Sequence, residues 1–249
     1  MTLSDEEHQW ALDLKARLEA AGLSCLSDFT CAQVALAVHG DIESGMERAH
    51  GMQAFLKEYD VVNSQNQGAQ CVQELLDACP GSILYLCNQP GIGALIACDL
   101  SKAHHISSPV FLRGCYYLAQ ATQTDLQQMR QGVSAMFDCQ WKEMSQTNGW
   151  KEYLKFWAAL PAWYPQRKKQ IAAYHTSSTA NIRLSMARKL LPPQEQDCAR
   201  FGGLVLERTL NQTCMVSSGP EATRQSLLAA VSDGLTRRYD NDLSFSLED

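Results

Sequence analysis

The residues with the clearest chemical potential are His175 and the hydroxyl run Thr176, Ser177, Ser178 and Thr179. They stand where the apolar stretch IAAYH gives way to a helical pattern. Hydroxyls and free N–H groups at a helix start can hold an anion, and the same side chains also serve as plain caps. His104 and His105 offer two imidazoles after Asp99. Adjacent histidines in a strand or loop point in different directions, and no thiol or carboxylate recurs beside them at ligand spacing, so a solvated pair is expected. Gly91 and Gly93 begin a dinucleotide-like fingerprint, but Ile96 stands where its third glycine belongs and the segment opens no helix. A turn is expected there. Phosphate-loop, nucleophile-elbow and zinc-protease motifs do not occur, and no nucleophile pairs with a base by spacing. The expectation is a protein that is not an enzyme and holds no metal.

Ten cysteines run from Cys25 to Cys214 without a single C-x-x-C pair, several inside apolar runs such as ILYLC and LIAC. Reduced core thiols acting as small hydrophobes are expected. The basic residues are better organised: Arg167, Lys168 and Lys169, then Arg183, Arg188 and Lys189, then Arg237 and Arg238. Such a local cluster suits an anionic lipid headgroup or membrane surface, and equally a solvated face. The chain as a whole is acidic, with 21 Lys and Arg against 27 Asp and Glu and a net charge of −6. That balance argues against nucleic-acid phosphates as the main partner. The 249 residues are 45% hydrophobic and only 19% charged, which excludes disorder. No apolar run approaches a membrane span, and the acidic start MTLSDEEHQW is unlike a signal peptide, so a cytoplasmic protein is expected.

The elements that must position these groups follow from periodicity. Ser4 and Glu7 have capping-box spacing before Trp10, Leu14, Leu18 and Ala21, which recur at helical steps. A second helix is predicted from about Ser27 to Gly40, a third after Asp41, and a fourth over Val72 to Cys79, stopped by Pro80-Gly81. From residue 82 the texture changes. SILYLC and ALIACDL read as strands about a turn, Pro109 opens the helix VFLRGCYYLAQA, and VSAMFD reads as a buried strand. NGWKEYLKFWAAL reads as a helix and IAAYH as a strand; a helix through ANIRLSMARKL, a strand within 204–217 and a helix through RQSLLAAV complete the pattern. An all-helical beginning followed by alternating strands and helices predicts two units with a boundary near 62–80.

The segment YPQRKKQIAAYHTSSTANIRLSMARKLLPP (164–193) resembles the most recognisable stretch of the CRAL-TRIO, or Sec14-like, lipid-binding family. GVSAMFDCQ, VFLRGCYYLAQA and the closing SLLAAVSDGLTRRYDNDLSFSLED are similar to its neighbouring segments in the same order, as VALAVHGDIESGMERAHGMQAFLKEYDV (34–61) is to its preceding helical domain. The resemblance implies an α/β fold, with a mixed sheet and helices enclosing a hydrophobic lipid pocket behind a small all-helical domain. The units would be 1–76 and 77–249. A movable roofing helix would lie within 179–191, and Tyr85, Phe137, Tyr153, Trp157, Ile182 and Met186 would lie near the pocket. Arg167, Lys169 and Arg188 match the family's anionic-headgroup contacts. The implied function is binding and intracellular transfer of a small hydrophobic ligand, such as a retinoid, carotenoid or tocopherol, with transient, peripheral contact to anionic membranes and no other cofactor. Leu36 and Val38 replace arginines usual in relatives, and Gln166 replaces the glutamate of phosphatidylinositol-binding members. Phosphatidylinositol transfer therefore ranks second, and a cargo-free interaction module third.

Overall fold

Glu7 N donates to Ser4 Oγ at 3.2 Å and Ser4 N to the Glu7 carboxylate at 2.9 Å, closing the capping box that starts α1, Asp5–Ala20. The computed structural model describes residues 3–23, 26–61, 65–89, 93–131, 133–138, 141–159, 170–174 and 220–248. Ser27 caps α2, Asp28–Val38, its Oγ accepting from Thr30 N at 3.2 Å. Asp41 caps α3, Ile42–Glu58, in the same way, and α4 follows over Gln65–Ala78. The turn between α2 and α3 holds His39 and Gly40 in the left-handed region. Gly40 is required there twice over, because the Trp10 ring lies 2.5 Å from where a Cβ would stand.

Beyond α4 come β1 (Ile83–Gln89), β2 (Gly93–Cys98), a 3-10 turn (Leu100–Lys102), α5 (Ser108–Thr122), α6 (Leu126–Gln131), β3 (Val133–Asp138), α7 (Trp141–Met144), α8 (Asn148–Ala159), β4 (Gln170–Tyr174) and α9 (Pro220–Ser244). Pro109 sits in the first turn of α5, where its missing N–H costs nothing. The strands lie in the order β1-β2-β3-β4, the first pair antiparallel and the next two parallel.

The sheet does not organise the molecule. The described residues are predominantly helical, and helices build both of their hydrophobic cores. This corrects the expectation of an α/β fold whose mixed sheet and helices enclose a hydrophobic lipid pocket. The physical reason is the distribution of apolar surface: the strands are five to seven residues long, whereas α5 has 15 residues and α9 has 25. The larger core joins Val72 and Leu75 of α4, Tyr116 and Tyr117 of α5, and Val231 and Leu235 of α9; the described strand side chains add Ile83 and Cys98. Residues on both sides of position 76 share it. The smaller core packs Leu14 and Leu18 of α1 against Phe29, Val34 and Ala35 of α2, with Met129 of α6 and Leu247 beyond α9. The predicted helix through 180–190 and the predicted strand within 204–217 lie outside the described residues.

Candidate functional site

Between the start of α2 and the outer face of α3 lies a cleft of about 680 Å³. Its apolar walls are Leu26, Met52, Ala54, Leu56 and Val61, and its polar groups are Ser27, Thr30, His50, Gln53, Lys57 and Asp60. The spacing explains the geometry. His50, Gln53, Ala54 and Lys57 recur at three- and four-residue steps along α3 and so share one face, while Met52 and Leu56 turn toward the core beneath. Ser27 and Thr30, three apart on the first turn of α2, form the opposite wall.

That wall is held in place by α9. Ser27 Oγ lies 2.5 Å from Asp242 Oδ1 and 3.0 Å from Thr30 Oγ1; its single proton goes to the charged carboxylate. Behind Thr30 and Met52 is a second space of about 10 Å³, room for one water. Arg238, Tyr239 and Asp242 of α9 and Tyr116 and Gln120 of α5 complete its lining. Arg238 is 5% exposed, donates to Gln123 O at 3.1 Å and Gln33 Oε1 at 3.2 Å, and lies over the Phe29 ring. Burial pushes the Tyr116 hydroxyl well above its ordinary range, although the Arg238 charge pulls the other way. Tyr116 is therefore a neutral phenol at physiological pH.

Asp28, next to Ser27, pairs with Lys15 Nζ at 2.8 Å and accepts from Leu247 N at 3.0 Å. Burial raises its carboxyl, but those hydrogen bonds and the Lys15 charge outweigh it and hold Asp28 below its usual range. The same hydrogen bond raises Lys15. Both groups stay charged across the physiological range.

The described residues among those named from sequence fall elsewhere. Tyr85 is on β1, Phe137 on β3, and Tyr153 and Trp157 on α8. Tyr153 is buried in the larger core and stacks on Trp150 with ring centroids 5.6 Å apart. Ile182, Met186, Arg167, Lys169 and Arg188 lie outside the described residues, as do His175 and its hydroxyl run. Arg237 and Arg238, read together as basic surface, part company: Arg237 is exposed and pairs with Asp233 at 2.7 Å, whereas Arg238 is buried. His104 and His105 are both exposed, their rings 6.2 Å apart. Sequence reasoning missed the cleft itself. The α3 stripe of His50, Gln53, Ala54 and Lys57 was its one local signal, and it reads like any solvated face.

Cys31, Cys71, Cys79, Cys98 and Cys115 are buried. Burial raises the thiols of Cys71, Cys79 and above all Cys115, which keeps them protonated and poor nucleophiles. Among the described residues no group of His, Cys, Asp and Glu is placed to hold a metal ion, and no helix is long and apolar enough to cross a membrane. No protein-family model and no curated protein matches the chain.

Proposed function

We propose that the protein binds and carries a small hydrophobic ligand, and that the cleft between α2 and α3 is where the ligand sits. The observation that carries this reading is the cleft's size and lining. Its volume of about 680 Å³ lies within the range typical of small-molecule sites, about 300–1,000 Å³. Apolar walls from Leu26, Met52, Leu56 and Val61, with polar groups on both the α2 and α3 sides, fit a molecule that is mostly hydrocarbon with a polar end. Burying such a ligand gains roughly 25 cal/mol per Å² of apolar surface, and Ser27, Gln53 or Lys57 would orient its polar end. The sequence resemblance adds the ligand class, a retinoid, carotenoid, tocopherol or similar lipid. It also supplies the delivery step, in which Arg167, Lys169 and Arg188 meet an anionic membrane.

Native mass spectrometry of the purified protein, with an absorbance spectrum, tests the reading. A one-to-one adduct of extractable lipid is expected, coloured if the ligand is a polyene, and it should be lost in Ala54→Trp, whose indole would project from α3 and obstruct the cleft. Absence of both adduct and saturable binding after lipid loading overturns the proposal. Efficient exchange of labelled phosphatidylinositol between liposomes would overturn the preference for a neutral ligand. Replacing Arg167, Lys169 and Arg188 by alanine should weaken binding to anionic liposomes and flatten its salt dependence.

A further inference from the structure

Three consecutive residues at the start of α2, Ser27, Asp28 and Phe29, are tied to the end of α9 and the segment after it. Ser27 bonds Asp242, and Asp28 accepts from Leu247 N. The Phe29 ring lies 4.2 Å beneath the Arg238 guanidinium and meets Phe245 edge-on at 5.5 Å. Thr30 faces the cleft on one side and the small space beside Arg238 on the other. The strap is fastened at its far end as well, since Leu247 is 2% exposed and its carbonyl lies 2.7 Å from the His8 ring. These contacts join positions 215 and 219 residues apart for Ser27 and Asp28.

We infer that the last turn of α9 with Phe245–Leu247 is a latch that regulates entry to the α2–α3 cleft. The inference rests on the cleft being the ligand site. Ser27 and Thr30 are wall residues, so whatever holds the first turn of α2 sets the width of the opening. Thr30 and Met52 partition the cleft from the space lined by Arg238, Tyr116 and Gln120. When the latch lets go, that turn moves outward, the partition parts, and the polar end of a ligand gains access to the buried guanidinium. The polar ties are individually modest, and Phe29 and Leu247 belong to the smaller core, so release is a local opening at the edge of that core that leaves the larger one intact.

The test compares the wild type with the double variant Asp242→Ala/Phe245→Ala, with Phe245→Ala alone as the milder form, and with Arg237→Ala as an exposed control on the same helix. Amide exchange read by mass spectrometry should quicken about tenfold over residues 26–31 and stay unchanged over α4 and α5. The association rate of dansyl-undecanoic acid should rise by about the same factor, and Ala54→Trp should block it. Unchanged exchange at 26–31, or a rise spread over every helix, overturns the latch. Faster local exchange with an unchanged association rate, still blocked by Ala54→Trp, overturns the latch as a gate and leaves the ligand site standing. If no variant binds the probe while exchange responds as expected, the latch stands as a hinge and the cleft reading fails.

Discussion

Two regions of this protein are held by different physics. Around α4, α5 and α9 the contacts are apolar and close: Tyr117, Val72, Val231 and Leu235 are fully buried, and Gly234 lies so near the Ala121 carbonyl that a Cβ would come within 2.3 Å of it. Around the start of α2, by contrast, the ties are polar and reach across the chain, through Asp242, Asp28, Lys15 and Arg238. The first region leaves no room for change. The second is built from contacts that are individually modest, and it is the region that borders the cleft. Function of the proposed kind belongs where structure can loosen without collapse.

Substitutions can break this contrast in graded steps. Tyr117→Ala should be the most damaging, removing a ring that is 0% exposed and whose hydroxyl bonds Gln67 at 3.1 Å. A loss of about 3–5 kcal/mol in a urea titration is expected. Gly234→Ala should cost about 1–3 kcal/mol, because the added methyl meets backbone oxygen rather than a side chain that can turn away. Asp242→Ala should cost about 1–2 kcal/mol through the lost charged hydrogen bond to Ser27. Its signature should be local, with near-ultraviolet dichroism from the Tyr116 and Trp150 region retained. If it instead unfolds the larger core as Tyr117→Ala does, the two regions are not separable and the contrast fails.

Acid should loosen the second region first. Asp28 faces Lys15 from α1 and the Leu247 N–H, with Glu248 and Asp242 nearby in the same segment. Its carboxyl is held below its ordinary value of 3.8 in the folded protein. The stability this supplies is present above that value and is lost as pH falls through the lowered one. Amide exchange over 26–31 should therefore quicken below about pH 3.8 in the wild type and be less pH-dependent in Asp28→Asn. The smallest effect should come from Arg237→Ala, within about 0.5 kcal/mol, since its pair with Asp233 is exposed.

What was legible in the sequence was local. Ser4 with Glu7, Ser27, Asp41 and Pro109 mark helix starts because capping is a matter of three or four neighbouring residues, and each sits where its spacing puts it. The short helices α6 and α7 carry too few residues to show a period and escaped notice. The fold class was misjudged because strand and helix patterns say which elements form, not which of them gather the core. Arg238 looked like half of a basic pair, and only its distance to Phe29, Gln33 and Gln123 makes it a buried clamp. The cleft was illegible for the same reason. Its walls come from two helices, and its fastening from residues more than two hundred positions away.

The central claim is that the α2–α3 cleft binds a hydrophobic molecule, and a fluorescence titration with dansyl-undecanoic acid tests it most directly. Saturable, one-to-one binding to the wild type is expected, abolished or reduced at least about tenfold in Ala54→Trp, with both proteins unfolding at the same urea concentration. Equal affinity in the two proteins, or no saturable binding in the wild type, would contradict the account.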